Sequence, residues 1–142
     1  GVFSCHHCPY VRAGEGPMVQ IQADYATRGV QLVAINANNA ATHPGDSFPK
    51  MVEHAAEAGL NFPYLHDESQ AVARAYGAQR TPEVFVFDGQ RKLRYRGAID
   101  DNYEDPDAVK RAHLRDALDA VLAGEAPAVP TTDAVGCTIK WK

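Results

Sequence analysis

Cysteine is scarce in this chain. Three cysteines among 142 residues are too few for a disulfide-built scaffold. Positive charge is in deficit: 14 Lys and Arg against 18 Asp and Glu leave a net charge of -4, so a phosphate-backbone partner has no electrostatic support. No apolar run approaches the roughly 18 residues that span a bilayer. There is no initiator Met and no basic stretch followed by an apolar leader. The opening Gly1-Val2-Phe3-Ser4 reads as the end of a strand whose beginning is absent, and the expectation is an N-terminally incomplete chain. Repeats, low-complexity tracts and interdomain linkers are also missing. With 45% hydrophobic and 23% charged residues, the composition is that of one globular domain.

The apolar pattern alternates between helical and strand periods. Val30–Ala37 is a nearly continuous apolar run and reads as a strand covered on both faces. Met18, Ile21, Gln22 and Tyr25 before it fall at helical spacing, with Gly29 as a stop and Pro17 suited to a first turn. Ser47 is a candidate N-cap for a helix carrying Phe48, Met51, Val52, Ala55 and Ala56. Phe62–Leu65 is a short strand. Asp67 or Ser69 begins a helix that Gly77 stops. Glu83–Phe87 is the second strong strand, Asp88-Gly89 a hairpin turn, and Arg91–Gly97 its return strand. Asp107 opens a last helix that Gly124 closes. Residues 125–142 form a loop-like extension whose end, Cys137–Lys142, alternates as an edge strand would. The order is an α/β domain with a mixed sheet.

Cys5-His6-His7-Cys8 is the feature that carries chemistry. Cysteines at i and i+3 share one side of a helical turn. The motif lies between an apolar strand end and a helix, whose N-terminal N–H groups favour a thiolate. Pro9 belongs in a first helical turn and places the helix start in this motif. Protonated His6 or His7 would favour the thiolate further. Redox chemistry leads, beside structural cysteines and a metal site. A structural zinc site brings a second ligand pair, and none is evident. Cys137, His43, His54, His66 and His113 are weak ligand candidates, with His54 and His113 read as surface or packing residues. No metal is expected. Arg80-Thr81-Pro82-Glu83, just before the second strong strand, reads as either a trans turn proline or a cis-proline facing the cysteines.

This arrangement resembles the thioredoxin superfamily: a CxxC between strand and helix, βα units, then Thr-Pro before a hairpin and a last helix. The likeness is nearest to the thioredoxin-like branch related to alkyl hydroperoxide reductases, and to a bacterial subfamily of thiol–disulfide isomerases. It is carried by Phe3–Val11, Ala34–Asn38, Phe62–Leu65, Arg80–Phe85 and Gly136–Trp141, and it covers essentially the whole chain. The resemblance implies a three-layer α/β/α sandwich over residues 1–142, with the strands that precede the CxxC strand missing. It implies that Cys5 attacks and Cys8 resolves, that Pro82 is a cis-proline beside the disulfide, and that Thr81 offers its backbone to an extended partner. The cofactor would be the redox-active disulfide itself. The partner would be a protein or low-molecular-weight thiol or disulfide, not nucleic acid or membrane. The expected setting is the cytoplasm, with a lost signal or anchor left open by the N-terminus.

The chain departs from plain thioredoxin in its His-His dipeptide, in lacking a Trp before Cys5, and in an insertion at Asn38–Pro49, read as a solvated loop or a groove wall. The alternatives are a thiol-dependent peroxidase and a non-catalytic binding or metal-carrier domain. A peroxidatic cysteine usually has a Thr three residues earlier, where Val2 stands here. Cys137 is a buried apolar residue, a third redox thiol pairing with a partner or with the CxxC, or an intermolecular link. The acidic run Asp100, Asp101, Glu104, Asp105 and Asp107 reads as a solvated loop before a helix.

Overall fold

The computed structural model describes residues 1–6 and 8–142; His7 lies outside the described residues. Strand β1 (Val2–Phe3) leads to helix α1 (Pro9–Tyr25) and strand β2 (Ala34–Asn36). Helix α2 (Phe48–Glu57), strand β3 (Tyr64–His66) and helix α3 (Ala71–Tyr76) follow. Strands β4 (Arg80–Thr81), β5 (Glu83–Phe87) and β6 (Leu93–Gly97), helix α4 (His113–Leu122) and strand β7 (Cys137–Thr138) complete the order. The main sheet runs β3-β2-β1-β5-β6. β1 is parallel to β2 and β2 to β3, whereas β5 is antiparallel to both β1 and β6. β4 and β7 form a separate antiparallel pair.

Alternation along the strands divides the core between two faces. Val2, Ala34, Val84 and Val86 point to one side, where Met18, Ile21 and Tyr25 of α1 and Leu114, Ala117 and Leu118 of α4 cover them. Phe3, Ile35 and Phe85 point to the other, where they meet Ala73 and Tyr76 of α3 and Ile139 beyond β7. The result is a mixed sheet between helical layers, the α/β class that the sequence pattern indicates.

Several boundaries differ from the sequence expectation for identifiable reasons. The Val30–Ala37 run is strand only at Ala34–Asn36. Upstream, the Gln22 side chain holds the backbone instead: its Nε2 donates to the Val30 carbonyl (3.0 Å) and its Oε1 accepts from Leu32 N–H (2.6 Å). α1 begins at Pro9, so Pro17 stands inside the helix and not in its first turn. The short strand is shifted to Tyr64–His66, and the return strand begins at Leu93. The last helix starts at His113, not Asp107. The backbone before it is tied down by Asp101, whose Oδ1 accepts from Lys110 N–H (2.9 Å) and whose N–H donates to the Arg111 carbonyl (3.2 Å). Ser47 stands at the N-cap of α2 with extended backbone, but its hydroxyl makes no cap bond. Gly77 ends α3 in the left-handed region at φ 71°, a conformation that suits glycine.

Candidate functional site

The site lies where β1 runs into α1. Phe3 and Val11 are buried on either side of the turn. Cys8 is the N-cap of α1 with φ −76° and ψ 128°, and Pro9 takes the first helical position. Proline there forgoes only an N–H that has no helical acceptor. Cys5 and Cys8 are both buried, at 2% and 1% exposure. His6 is buried beside them.

The loop Gln79–Glu83 closes over the cysteines. The Thr81–Pro82 peptide bond is cis. Thr81 reaches both sulfurs: its Oγ1 lies 3.6 Å from Cys5 Sγ, and its carbonyl oxygen 3.8 Å from Cys8 Sγ. Buried Glu83 holds the loop in place. Its Oε1 accepts from Gln79 N–H (2.8 Å) and Arg80 N–H (3.3 Å), while Arg96 Nε donates to its Oε2 (3.3 Å).

The disulfide of the structure joins Cys8 to Cys137, with Cα atoms 6.4 Å apart and a sequence separation of 129. Cys5 is not part of that bond. Cys137 belongs to β7, which pairs antiparallel with β4 in the register Thr81 to Cys137 and Arg80 to Thr138. The backbone edge of Thr81 that the resemblance assigns to an extended partner is therefore occupied by this chain's own segment. Residues 125–142 are correspondingly more than a loop: their end is a strand, and Ile139 enters the core.

A polar cluster that the sequence reading missed adjoins Cys5. His6 Nδ1 lies 3.2 Å from the Tyr64 hydroxyl and 3.6 Å from Asp46 Oδ1. Asp46, at 0% exposure, accepts from Asn36 Nδ2 (3.3 Å) and Asn38 Nδ2 (2.9 Å). Asn36 Nδ2 also donates to Tyr64 Oη (3.2 Å). The insertion at Asn38–Pro49 is thus not a solvated loop at Asp46, because its carboxylate satisfies two buried amides. His54, read from sequence as surface or packing, stacks on His6 with ring centroids 5.0 Å apart, and its Nε2 lies 2.7 Å from Glu15 Oε1. Burial, then the charges of Cys5 and Asp46, push the Tyr64 phenol above its ordinary range. A cavity of about 10 Å³, about the volume that one water requires, lies between Cys5, Glu15, His54 and Tyr64.

Pro82 also lines an open groove of about 240 Å³, together with Tyr10, Gly14, Ile99, Asp100, Tyr103 and Val135. Gly14 leaves room for Ile99 there: a Cβ would stand 3.0 Å from Ile99 Cδ1, which would have to shift by a few tenths of an ångström. Among the described residues, no group of three or more His, Cys, Asp or Glu could hold a metal ion. No helix among them is long and apolar enough to cross a membrane.

A disulfide at a helix N-terminus, beside a cis-proline loop on a mixed sheet, defines a protein of the thioredoxin fold. Residues 2–112 match the Redoxin family, and the chain belongs to it. That is the superfamily branch related to alkyl hydroperoxide reductases, a family generally of redox enzymes of the thiol oxidoreductase and peroxidase kind. The chain is similar to an uncharacterized conserved protein from Geobacillus kaustophilus, with 42% identity and a TM-score of 0.93 over 99% of this chain and 75% of that one. It is also similar to a hypothetical protein from Sinorhizobium meliloti 1021, with 39% identity and a TM-score of 0.89 over 99% and 78%. A thioredoxin-like protein solved in its oxidized form shares the fold at 20% identity, with a TM-score of 0.68 over 87% of this chain and 78% of that one. No curated protein matches the chain significantly.

Proposed function

We propose that this protein is a thiol–disulfide oxidoreductase that exchanges disulfides with a protein or small-thiol partner. Cys5 is the attacking thiol and Cys8 resolves the mixed disulfide. The observation that carries this reading is the convergence of both sulfurs on Thr81, with Cys8 already in a disulfide. The N-terminal N–H groups of α1 favour negative charge on sulfur. His6 and its neighbours Tyr64 and Asp46 supply a hydrogen-bonded environment beside Cys5; the role given to His7 rests on sequence alone. Electrons reside in the cysteines, so the chemistry calls on no organic cofactor or metal. Because β7 covers the β4 edge, the partner's seat is the groove between Tyr10, Pro82 and Tyr103.

The test is turnover of a glutathionylated peptide, together with thiol trapping across a graded glutathione buffer. Wild type should reduce the mixed disulfide and titrate as a two-electron couple, and Cys5→Ser should lose turnover. Peroxide consumption without thiol–disulfide exchange would replace this reading with a peroxidase. Stoichiometric metal in an inert protein would replace it with a carrier.

A further inference from the structure

We propose that Cys137 is a third redox thiol that withdraws Cys8 from Cys5, so that the oxidised protein retains Cys5 as a thiol. The inference rests on the exchange chemistry proposed above and gives the disulfide a second resting place.

The structure seats Cys137 firmly on Cys8. β7 sets it opposite Thr81, and Arg80 Nη1 donates to the Gly136 carbonyl (3.1 Å). Beyond it, Ile139 is buried at 3% exposure and its N–H donates to the Gln79 carbonyl (3.0 Å). Asn39 N–H donates to the Lys140 carbonyl (2.7 Å), and Lys140 N–H donates to Asn38 Oδ1 (2.9 Å). Gln70 holds the segment from below: its Nε2 donates to the Lys140 carbonyl (3.0 Å), and its Oε1 accepts from Lys142 N–H (3.1 Å). Non-covalent contacts therefore hold the segment in place before any bond between the sulfurs forms. The entropy of bringing two thiols so distant in sequence together is paid by folding, and Cys137 acts as a thiol of high local concentration.

The steps balance. Cys5 thiolate attacks a disulfide R–S–S–R′, forming Cys5–S–S–R and releasing R′–S⁻. Cys8 thiolate attacks Cys5 Sγ, forming the Cys5–Cys8 disulfide and releasing R–S⁻. Cys137 thiolate then attacks Cys8 Sγ; the Cys8–Cys137 bond forms, the Cys5–Cys8 bond breaks, and Cys5 leaves as thiolate. This last step is a disulfide isomerisation without net electron transfer. The two electrons that reduced the substrate come from Cys8 and Cys137. With Cys8 engaged, Cys5 can still enter a mixed disulfide, but a thiol outside this chain must resolve it, and where that thiol belongs to the substrate the route reshuffles disulfides instead of reducing them.

The experiment is peptide mapping of the whole chain after equilibration with oxidised glutathione, acid quench and alkylation. Cys5 and Cys8 share the tryptic peptide ending at Arg12, so an internal bond and a link to the Cys137 peptide differ in mass. The expected map has alkylated Cys5 and a Cys8–Cys137 link in about tenfold excess over Cys5–Cys8. In Cys137→Ser the bond should move to Cys5–Cys8, and the oxidation constant should fall about tenfold, or about 30 mV for this two-electron couple. A wild-type map of Cys5–Cys8 with alkylated Cys137 overturns the inference and leaves the exchange function standing. No intramolecular disulfide in either protein overturns both. The wild-type map needs no variant, so a folding defect in Cys137→Ser does not remove the test.

Discussion

Gly136 packs its bare Cα against the carbonyl of Thr81: a Cβ at this position would collide with the Thr81 carbonyl carbon and oxygen. The contact brings two stretches far apart in sequence to backbone distance, directly beside the Cys8–Cys137 bond. It makes Gly136 a determinant of where Cys137 lies.

Gly136→Ala should therefore push β7 off β4. Overpacking of this kind costs about 1–3 kcal/mol. Urea denaturation should register that loss, and the same sample should show a reduced share of the Cys8–Cys137 link by peptide mapping. Unchanged stability together with an unchanged link would mean that the segment shifts without consequence.

Asp46 should be a structural keystone of the cluster next to Cys5. Asp46→Ala removes the acceptor of the Asn38 amide, one of two acceptors of the Asn36 amide, and the carboxylate that His6 approaches. The expected loss is about 2–5 kcal/mol, since buried polar groups are deprived of their partner. Asp46→Asn retains one acceptor oxygen and should lose less. Equal losses in urea for both variants would show that the second acceptor oxygen and the negative charge, which both variants lack, dominate there.

The sheet and the cysteine motif were legible in the sequence, because each rests on local pattern. Glu83–Phe87 alternates between the two core faces, and Pro9 marks the start of α1. The polar cluster was not legible. Glu15, Asp46, His54 and Tyr64 come from α1, the Asn38–Pro49 insertion, α2 and β3, and each alone reads as an ordinary surface or packing residue. The partner of Cys8 was hidden in the same way: three cysteines permit more than one pairing, and spacing does not choose between them. The helix boundary at Asp107 failed because the side-chain and backbone bonds of Asp101 outweigh the apolar period that begins at Val109.

Thr81→Val should separate the hydroxyl from the backbone role of this residue. Valine keeps the shape and the carbonyl beside Cys8, but removes the Oγ1 contact with Cys5 Sγ. A single hydrogen bond of about 0.5–1.5 kcal/mol corresponds to about a 2- to 10-fold change. The rate of Cys5 alkylation in the reduced protein at neutral pH should fall within that range, while the peptide map of the oxidised protein stays the same. A change in the map without a change in rate would transfer the importance of Thr81 to its backbone.

Tyr64 should make the fold sensitive to alkali. Its phenol is held above the ordinary value, first by burial and then by the charges of Cys5 and Asp46. Below the ordinary tyrosine pKa of about 10, the folded and unfolded chains both keep this proton, and the group contributes no pH dependence. Above it, the unfolded chain releases the proton and the folded chain retains it, so stability falls as pH rises. The slope attributable to Tyr64 approaches about 1.4 kcal/mol per pH unit. Tyr64→Phe loses the contacts with Asn36 and His6 and should be less stable at pH 8 by about 1–2 kcal/mol. Phenylalanine does not titrate, so that deficit should narrow between pH 10 and 11 in urea denaturation. A deficit that stays constant across this range would mean that Tyr64 ionises as freely in the folded chain as in the unfolded one.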